Sequence, residues 1–190
     1  MDNIIRIIDV TNRDGVQTSR LGLAKLEKTV LNILLNQMGV FQSEMGFPTT
    51  LHEKNYINAN LELAKMEVIS PMILEGWVRA IEVDVNKAIE LTRVEHLNLS
   101  ISTSQQMIQG KFQGNYNEDD NIKMMIDAVN RARDVGIKTI GVNAEDASRT
   151  KMGYLIKFSQ AAKNAGADRI RYCDTLGYET SSKRGIPIYC

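Results

Sequence analysis

The segment Asp9-Val-Thr-Asn-Arg-Asp-Gly-Val-Gln17 brings carboxylates, a guanidinium and an amide into one short stretch. It follows the apolar run Ile4-Ile-Arg-Ile-Ile8, and residues 4–9 read as a buried strand because the run is short and bounded by polar residues. The loop after that strand presents Asp9, Arg13, Asp14 and Gln17 together. A carboxylate such as Asp14 can hold a hard divalent cation, and a guanidinium such as Arg13 can stabilise negative charge developing beside it. Gly15 lets the backbone come close to a bound molecule. An adjacent Arg-Asp pair is also the form of an ordinary surface ion pair, so the loop gains meaning only from what accompanies it.

Three more polar clusters accompany it. Glu44-Met-Gly-Phe-Pro48 sets a carboxylate beside a glycine and proline turn. Asn143-Ala-Glu-Asp-Ala-Ser-Arg149 offers two adjacent acids, a serine and an arginine, and Asp174-Thr-Leu-Gly177 offers an acid and a hydroxyl before a glycine. Each has a structural reading when taken singly: a strand-end charge, helix-start acids with a local ion pair, and a helix N-cap.

The elements that must position these clusters alternate along the chain. Residues 4–9, 40–44, 72–78, 96–102, 139–143 and 169–173 read as strands. Helical spacing fills residues 23–38 (through Leu26, Val30, Ile33, Leu34 and Met38), a segment through Ile57, Leu61 and Ala64, and residues 83–91, 122–135 and 154–165. Gly39, Gly136 and Gly166 stand where C-caps belong. Residues 110–117, polar and glycine-containing, read as a loop. Strand and helix in turn mean βαβ units around a parallel sheet. Every polar cluster falls just after a strand, where such sheets place their active sites. A closed (β/α)8 barrel needs eight units, typically ~250 residues, and this chain of 190 residues offers about six. The expected fold is therefore α/β, an incomplete (β/α)8 TIM barrel. It forms a catalytic domain over residues 1–180 with a tail over 181–190, where Gly185 and Pro187 interrupt any further pattern.

Composition narrows the partners. With 23 basic and 23 acidic residues and 43% hydrophobic content, the chain suits one domain with a real core and gives no ground for a nucleic-acid stripe. No apolar stretch approaches the ~20 residues needed to span a bilayer, and no secretory signal pattern opens the chain. A cytoplasmic protein with neither nucleic-acid nor membrane partners is expected. Cys173 and Cys190 have no metal-ligand spacing. Cys173 reads as a buried strand residue, Trp77 as core or strand-end packing, and the nine methionines as packing.

As a set, the four clusters resemble the metal-dependent acyl-CoA condensing enzymes: homocitrate, isopropylmalate and citramalate synthases, with hydroxymethylglutaryl-CoA lyase. The Ala-Glu-Asp-Ala-Ser-Arg form looks most like the homocitrate synthases of nitrogen fixation. The resemblance implies that acetyl-CoA and 2-oxoglutarate condense on a divalent metal, Mg or Mn, with isopropylmalate or citramalate synthesis as the alternative. It makes Asp14 a metal ligand and lets Arg13 stabilise the developing oxygen charge. Gln17 orients groups near the metal, and Glu44 lines the pocket for the oxo-acid side chain. Glu145 acts at the reacting centre, and Thr175 binds the substrate carboxylate. The chain departs from the pattern at Asn12, where leucine is usual, and at Val16, where glutamate is frequent. The family's His-x-His metal pair has no counterpart, since the two histidines are His52 and His96. Three readings follow: a subunit whose partner chain brings the missing strands and histidines, an inactive truncated homologue, or a non-catalytic module keeping the pocket. Little activity is expected of the chain alone.

Overall fold

Strand and helix alternate as the hydrophobic period alternates between two and 3.6. The computed structural model describes residues 4–179, so the tail expected over 181–190 lies outside the described residues. In chain order the strands are β1 (Ile8–Asp9), β2 (Gln42–Gly46), β3 (Ile73–Arg79), β4 (His96–Ser102), β5 (Thr139–Glu145) and β6 (Arg169–Tyr172). The helices are α1 (Lys25–Gln37), α2 (Leu51–Lys65), α3 (Glu82–Leu91), α4 (Gln105–Lys111), α5 (Glu118–Asp134) and α6 (Met152–Ala165). The strands form one parallel sheet in the order β1-β2-β3-β4-β5-β6. This is an incomplete (β/α)8 barrel, as expected, with β1 and β6 at its two margins.

Register levels the strand ends into one rim. β4 and β5 pair from His96 opposite Thr139 to Ser102 opposite Glu145. Because side chains alternate along a strand, Leu97, Leu99 and Ile101 turn to one face of β4, and Asn98, Ser100 and Ser102 to the other. The apolar face packs on the helices: Leu97, Leu99, Ile140, Val142, Met125, Val129 and Phe158 have no accessible surface. The other face makes the barrel interior, and it is ionic. Glu44 and Glu75, both wholly buried, are held by arginines arriving from β1's loop and from β6. Buried charges persist only when paired in this way. Gly141 makes the room: a Cβ there would stand 2.7 Å from Asn98 Oδ1 and 3.0 Å from Arg169 NH2.

Three expectations change. The strand expected over residues 4–9 pairs as a strand only at Ile8–Asp9, and Ile4, Ile5 and Ile7 are exposed. Among the described residues β1 has a neighbour on one side only, and none covers them. The apolar stripe of residues 23–38 makes a helix, but Leu26, Val30, Leu34 and Met38 face outward and only Ile33 of them packs against the core, while Lys28, Asn32 and Leu35 turn inward. The helix α4 follows β4 and takes in the first two residues, Gly110 and Lys111, of the expected loop. Its N-cap Ser104 accepts the Met107 N–H at 3.3 Å.

Candidate active site

The loop after β1 is fixed by short-range bonds before any ligand arrives. The Asp9 carboxylate accepts both the N–H and the hydroxyl of Thr11, each at 3.0 Å. The Val10 carbonyl accepts three successive N–H groups, from Arg13 at 3.1 Å, Asp14 at 2.7 Å and Gly15 at 3.2 Å. Gly15–Gln17 then forms a 3-10 turn. Arg13 leaves this loop towards the barrel axis. Its Nε donates to Glu44 at 2.5 Å, its NH1 to Asp14 at 2.8 Å, and its guanidinium carbon lies 5.3 Å from the centre of the Trp77 ring. Trp77 in turn meets Phe47 edge-on at 5.3 Å. Strand-end packing is thus what Trp77 does, as expected, and it also walls the site.

A cavity of about 530 Å³ opens at this rim, with Arg13, Asp14, Gln17, Trp77, Glu145 and Thr175 on its walls. Five of the six residues singled out from sequence therefore meet at one cavity. Glu44 lies beneath it. Its buried carboxylate accepts from Arg13, from Asn98 Nδ2 at 2.8 Å and from Arg171 NH1 at 2.6 Å, so it acts on the cavity through the two arginines it holds. Arg171 also reaches Glu75, whose second arginine is Arg169 at 2.5 Å. Burial pushes the Glu75 carboxyl pKa up, and the two arginines pull against it.

Glu145 stands where β5 ends. It accepts from Lys111 Nζ at 2.8 Å and from the Ser102 hydroxyl, itself 2.6 Å from the same ammonium. A second cavity of about 410 Å³ shares Trp77, Ser100 and Glu145 with the first and continues to Phe112 and Met124. After Glu145 the chain turns through Asp146 at φ 60°, a left-handed conformation that aspartate tolerates better than most residues. Its carboxylate accepts from Ser104 at 2.5 Å and from Arg149, the local ion pair expected from sequence. Burial works against the charge on Asp146, but the bonds from Arg149 and Ser104 prevail and hold its pKa low. The Asp146 N–H donates to Thr175 Oγ1 at 2.9 Å, which ties the ends of β5 and β6 together. Asp174 binds the N–H groups of Tyr178 and Glu179 at 2.8 and 3.0 Å instead of capping a helix. Burial pushes the Cys173 thiol up to about 11, which fits a packing role.

The metal implied by the resemblance has one hard ligand here, Asp14, whose side chain is 59% exposed and bonded to Arg13. Among the described residues no group of three or more His, Cys, Asp or Glu could hold a metal ion. His52 lies in the first turn of α2, and His96 bonds Thr139 Oγ1 at 2.7 Å at the far end of β4 from the rim. Divalent cations need several oxygen or imidazole ligands, so the described residues do not by themselves fit one.

Several participants escaped the sequence reading. Arg169 and Arg171 share a strand face by their spacing of two, which was a usable signal, and Glu75 sits visibly inside an apolar run. Nothing local marked Lys111 or Ser102 as neighbours of Glu145. No helix among the described residues is long and apolar enough to cross a membrane.

Comparison with known proteins places these features in context. A family model described as HMGL-like matches residues 4–185. A citrate (Re)-synthase of Dehalococcoides mccartyi is 64% identical over 176 residues, covering 92% of this chain and 42% of the relative. A 2-isopropylmalate synthase of Caldanaerobacter subterraneus is 37% identical, covering 93% and 44%. The homocitrate synthase AksA of Methanocaldococcus jannaschii is 35% identical, covering 93% and 42%. The chain thus spans less than half the length of these relatives. Among solved structures, the HMG-CoA lyase of Bacillus subtilis superposes with a TM-score of 0.69 at 18% identity, over 93% of this chain and 60% of that one, a likeness of fold.

Proposed function

This chain belongs to the HMGL-like family, and from that membership we propose that it forms the substrate-binding side of an acyltransferase joining the acetyl group of acetyl-CoA to a dicarboxylic 2-oxo acid. One observation carries the reading: Arg13 and Glu145 face one cavity from opposite ends of the sheet, each already fixed by partners of opposite charge. Oxaloacetate is the first choice of oxo acid, because citrate is its acetyl adduct and the 64% identical relative is a citrate (Re)-synthase. The nitrogen-fixation type of homocitrate synthase, with 2-oxoglutarate, is the second reading. It rests on the Ala-Glu-Asp-Ala-Ser-Arg motif and on a relative at 35% identity. Isopropylmalate or citramalate synthesis ranks below both. The cavity carries Ser100, Arg171 and Asn143, whose Oδ1 has no hydrogen-bond partner. Such walls suit a charged oxo-acid end better than a branched aliphatic one.

In this reading Glu145 takes a proton from the acetyl methyl carbon. That carbon then bonds to the oxo carbon, and Arg13 donates to the oxygen as it gains charge and takes up a proton. Water then hydrolyses the thioester of the adduct, breaking its C–S bond and releasing CoA as the free thiol. Lys111 and Ser102 keep the Glu145 carboxylate aimed. Thr175 and Gln17 bind the acid's carboxylate end, and Glu44 holds Arg13 and Arg171 at fixed separation. Asp14 alone does not hold a divalent cation; were Mg or Mn bound with ligands from elsewhere, Asp14 would be this chain's contribution and the cation would supply Lewis-acid polarisation. The remaining ligands and two further βα units come from a segment pairing with β1 and β6, whose outer edges are unpaired among the described residues and so favour association.

The test is acetyl-CoA-dependent thiol release with oxaloacetate, 2-oxoglutarate or 2-oxoisovalerate and Mn²⁺. The chain is assayed alone and mixed with a polypeptide carrying the remaining part of the citrate (Re)-synthase relative. Release is expected only in the mixture and fastest with oxaloacetate. Preference for 2-oxoisovalerate, or no release with any acid, overturns the reading.

A further inference from the structure

Asn12 stands where the resemblance leads one to expect leucine, and the structure gives it work that an apolar side chain cannot do. It lies in the loop beside Arg13, with no accessible surface. Its Nδ2 donates to the Lys28 carbonyl and to Asn32 Oδ1, both at 2.9 Å. Asn32, also inaccessible, is a hub with every polar valence filled. Its Oδ1 accepts from Asn12 and from Ser43 at 2.8 Å, and its Nδ2 donates to the Tyr56 hydroxyl at 3.1 Å and to Asn60 Oδ1 at 3.0 Å. Asn60 continues the chain of bonds to Thr29 and to the Tyr56 carbonyl. One polar network therefore runs from the loop through α1 and β2 to α2, behind the sheet and away from the cavity.

We propose that Asn12 is a positioning residue, which pins the Arg13–Asp14 loop to α1 and β2 through the Asn32 hub so that guanidinium and carboxylate are preset before substrate arrives. Both Nδ2 hydrogens of Asn12 are used, while its buried Oδ1 has no hydrogen-bond partner among the described residues. Removing a donor from a buried network leaves its acceptors unpaired, which is costly. Asn12 is the one contact in this network that comes from the loop itself. The neighbouring anchors, Asp9 to Thr11 and the Val10 carbonyl, shape the loop internally but do not tie it to α1.

The chain carries its own reporter, since Trp77 is its single tryptophan and touches Arg13. Acrylamide quenching and emission wavelength of Trp77 are measured without ligand for wild type, Asn12→Leu, Asn12→Ser and Asn60→Ala, with urea midpoints alongside. Asn60→Ala breaks the same network without touching the loop, and Asn12→Ser keeps a donor should the leucine variant not fold. Both Asn12 variants are expected to raise quenching and shift emission, the serine less than the leucine, while Asn60→Ala lowers the midpoint and leaves Trp77 unchanged. A Trp77 signal unmoved in the Asn12 variants, or moved equally by Asn60→Ala, overturns the proposal. A second arm rests on the function proposed above: oxaloacetate titrated against Trp77 emission should bind about fivefold more weakly to Asn12→Ser than to wild type. Absence of a wild-type response would count against that function, and the ligand-free quenching would still decide the role of Asn12.

Discussion

Helices α5 and α1 have similar amphipathic spacing and opposite fates. In α5 the apolar residues Ile122, Met125 and Val129 go into the core, Met125 without any accessible surface. In α1 the apolar stripe is outside, with Leu26 74% and Met38 78% exposed, and the inner face holds Lys28 and Asn32. The difference lies in their neighbours. α5 has packing partners on both sides, α3 and α6, whereas α1 stands at the margin of the sheet and, among the described helices, packs chiefly on α2. Spacing tells which residues share a face of a helix. Which face is inside depends on what the chain, or another segment, lays against it. α6, at the other margin, also exposes apolar residues, Met152 and Ile156, but keeps an apolar inner face through Leu155, Phe158 and Ala162.

The contrast between middle and margins is not a contrast between strong and weak, and the largest expected effect shows this. Arg171→Met, on the marginal strand β6, leaves Glu44 and Glu75 each short of a buried partner. It should cost about 3–5 kcal/mol of unfolding free energy, measured by urea titration. A loss below that of an ordinary surface change would mean that the interior ion network does not hold the margin. Next in size is Leu99→Ala in the middle of the sheet. Emptying a fully buried position should cost about 2–5 kcal/mol in the same titration. The smallest effect belongs to the outer face of α1: Leu34→Lys should change stability by less than about 0.5 kcal/mol in the chain alone. The same substitution should abolish association with a segment that completes the barrel, read by analytical ultracentrifugation. A large stability loss in the isolated chain would show that the stripe is already covered.

Much of the site was legible because it is built at strand ends, and strand ends are marked by local punctuation. Arg13, Asp14, Gln17, Glu145 and Thr175 each lie at the end of a strand or in the loop after it, and a parallel sheet brings all such positions to one rim. Glu44 was found by the same rule, but its depth was not. Only the register of β2 against β3 and the arrival of Arg171 from far along the chain place it under the cavity and not on its wall. The helix α4 was missed because a helix of 7 residues lacks two full turns of apolar spacing. Its Lys111, which fixes Glu145, went with it.

By itself, then, the order of residues determined the alternation of strands and helices, the parallel sheet, the unit count and the rim that carries the polar clusters. These follow from periodicity and turn chemistry, which act over a few residues. Tertiary structure alone decided that the barrel interior is ionic, that α1 turns Leu26, Val30, Leu34 and Met38 outward, and that Asn12 joins a network reaching α2. Each depends on partners distant in the chain, and local spacing carries no record of which partner arrives.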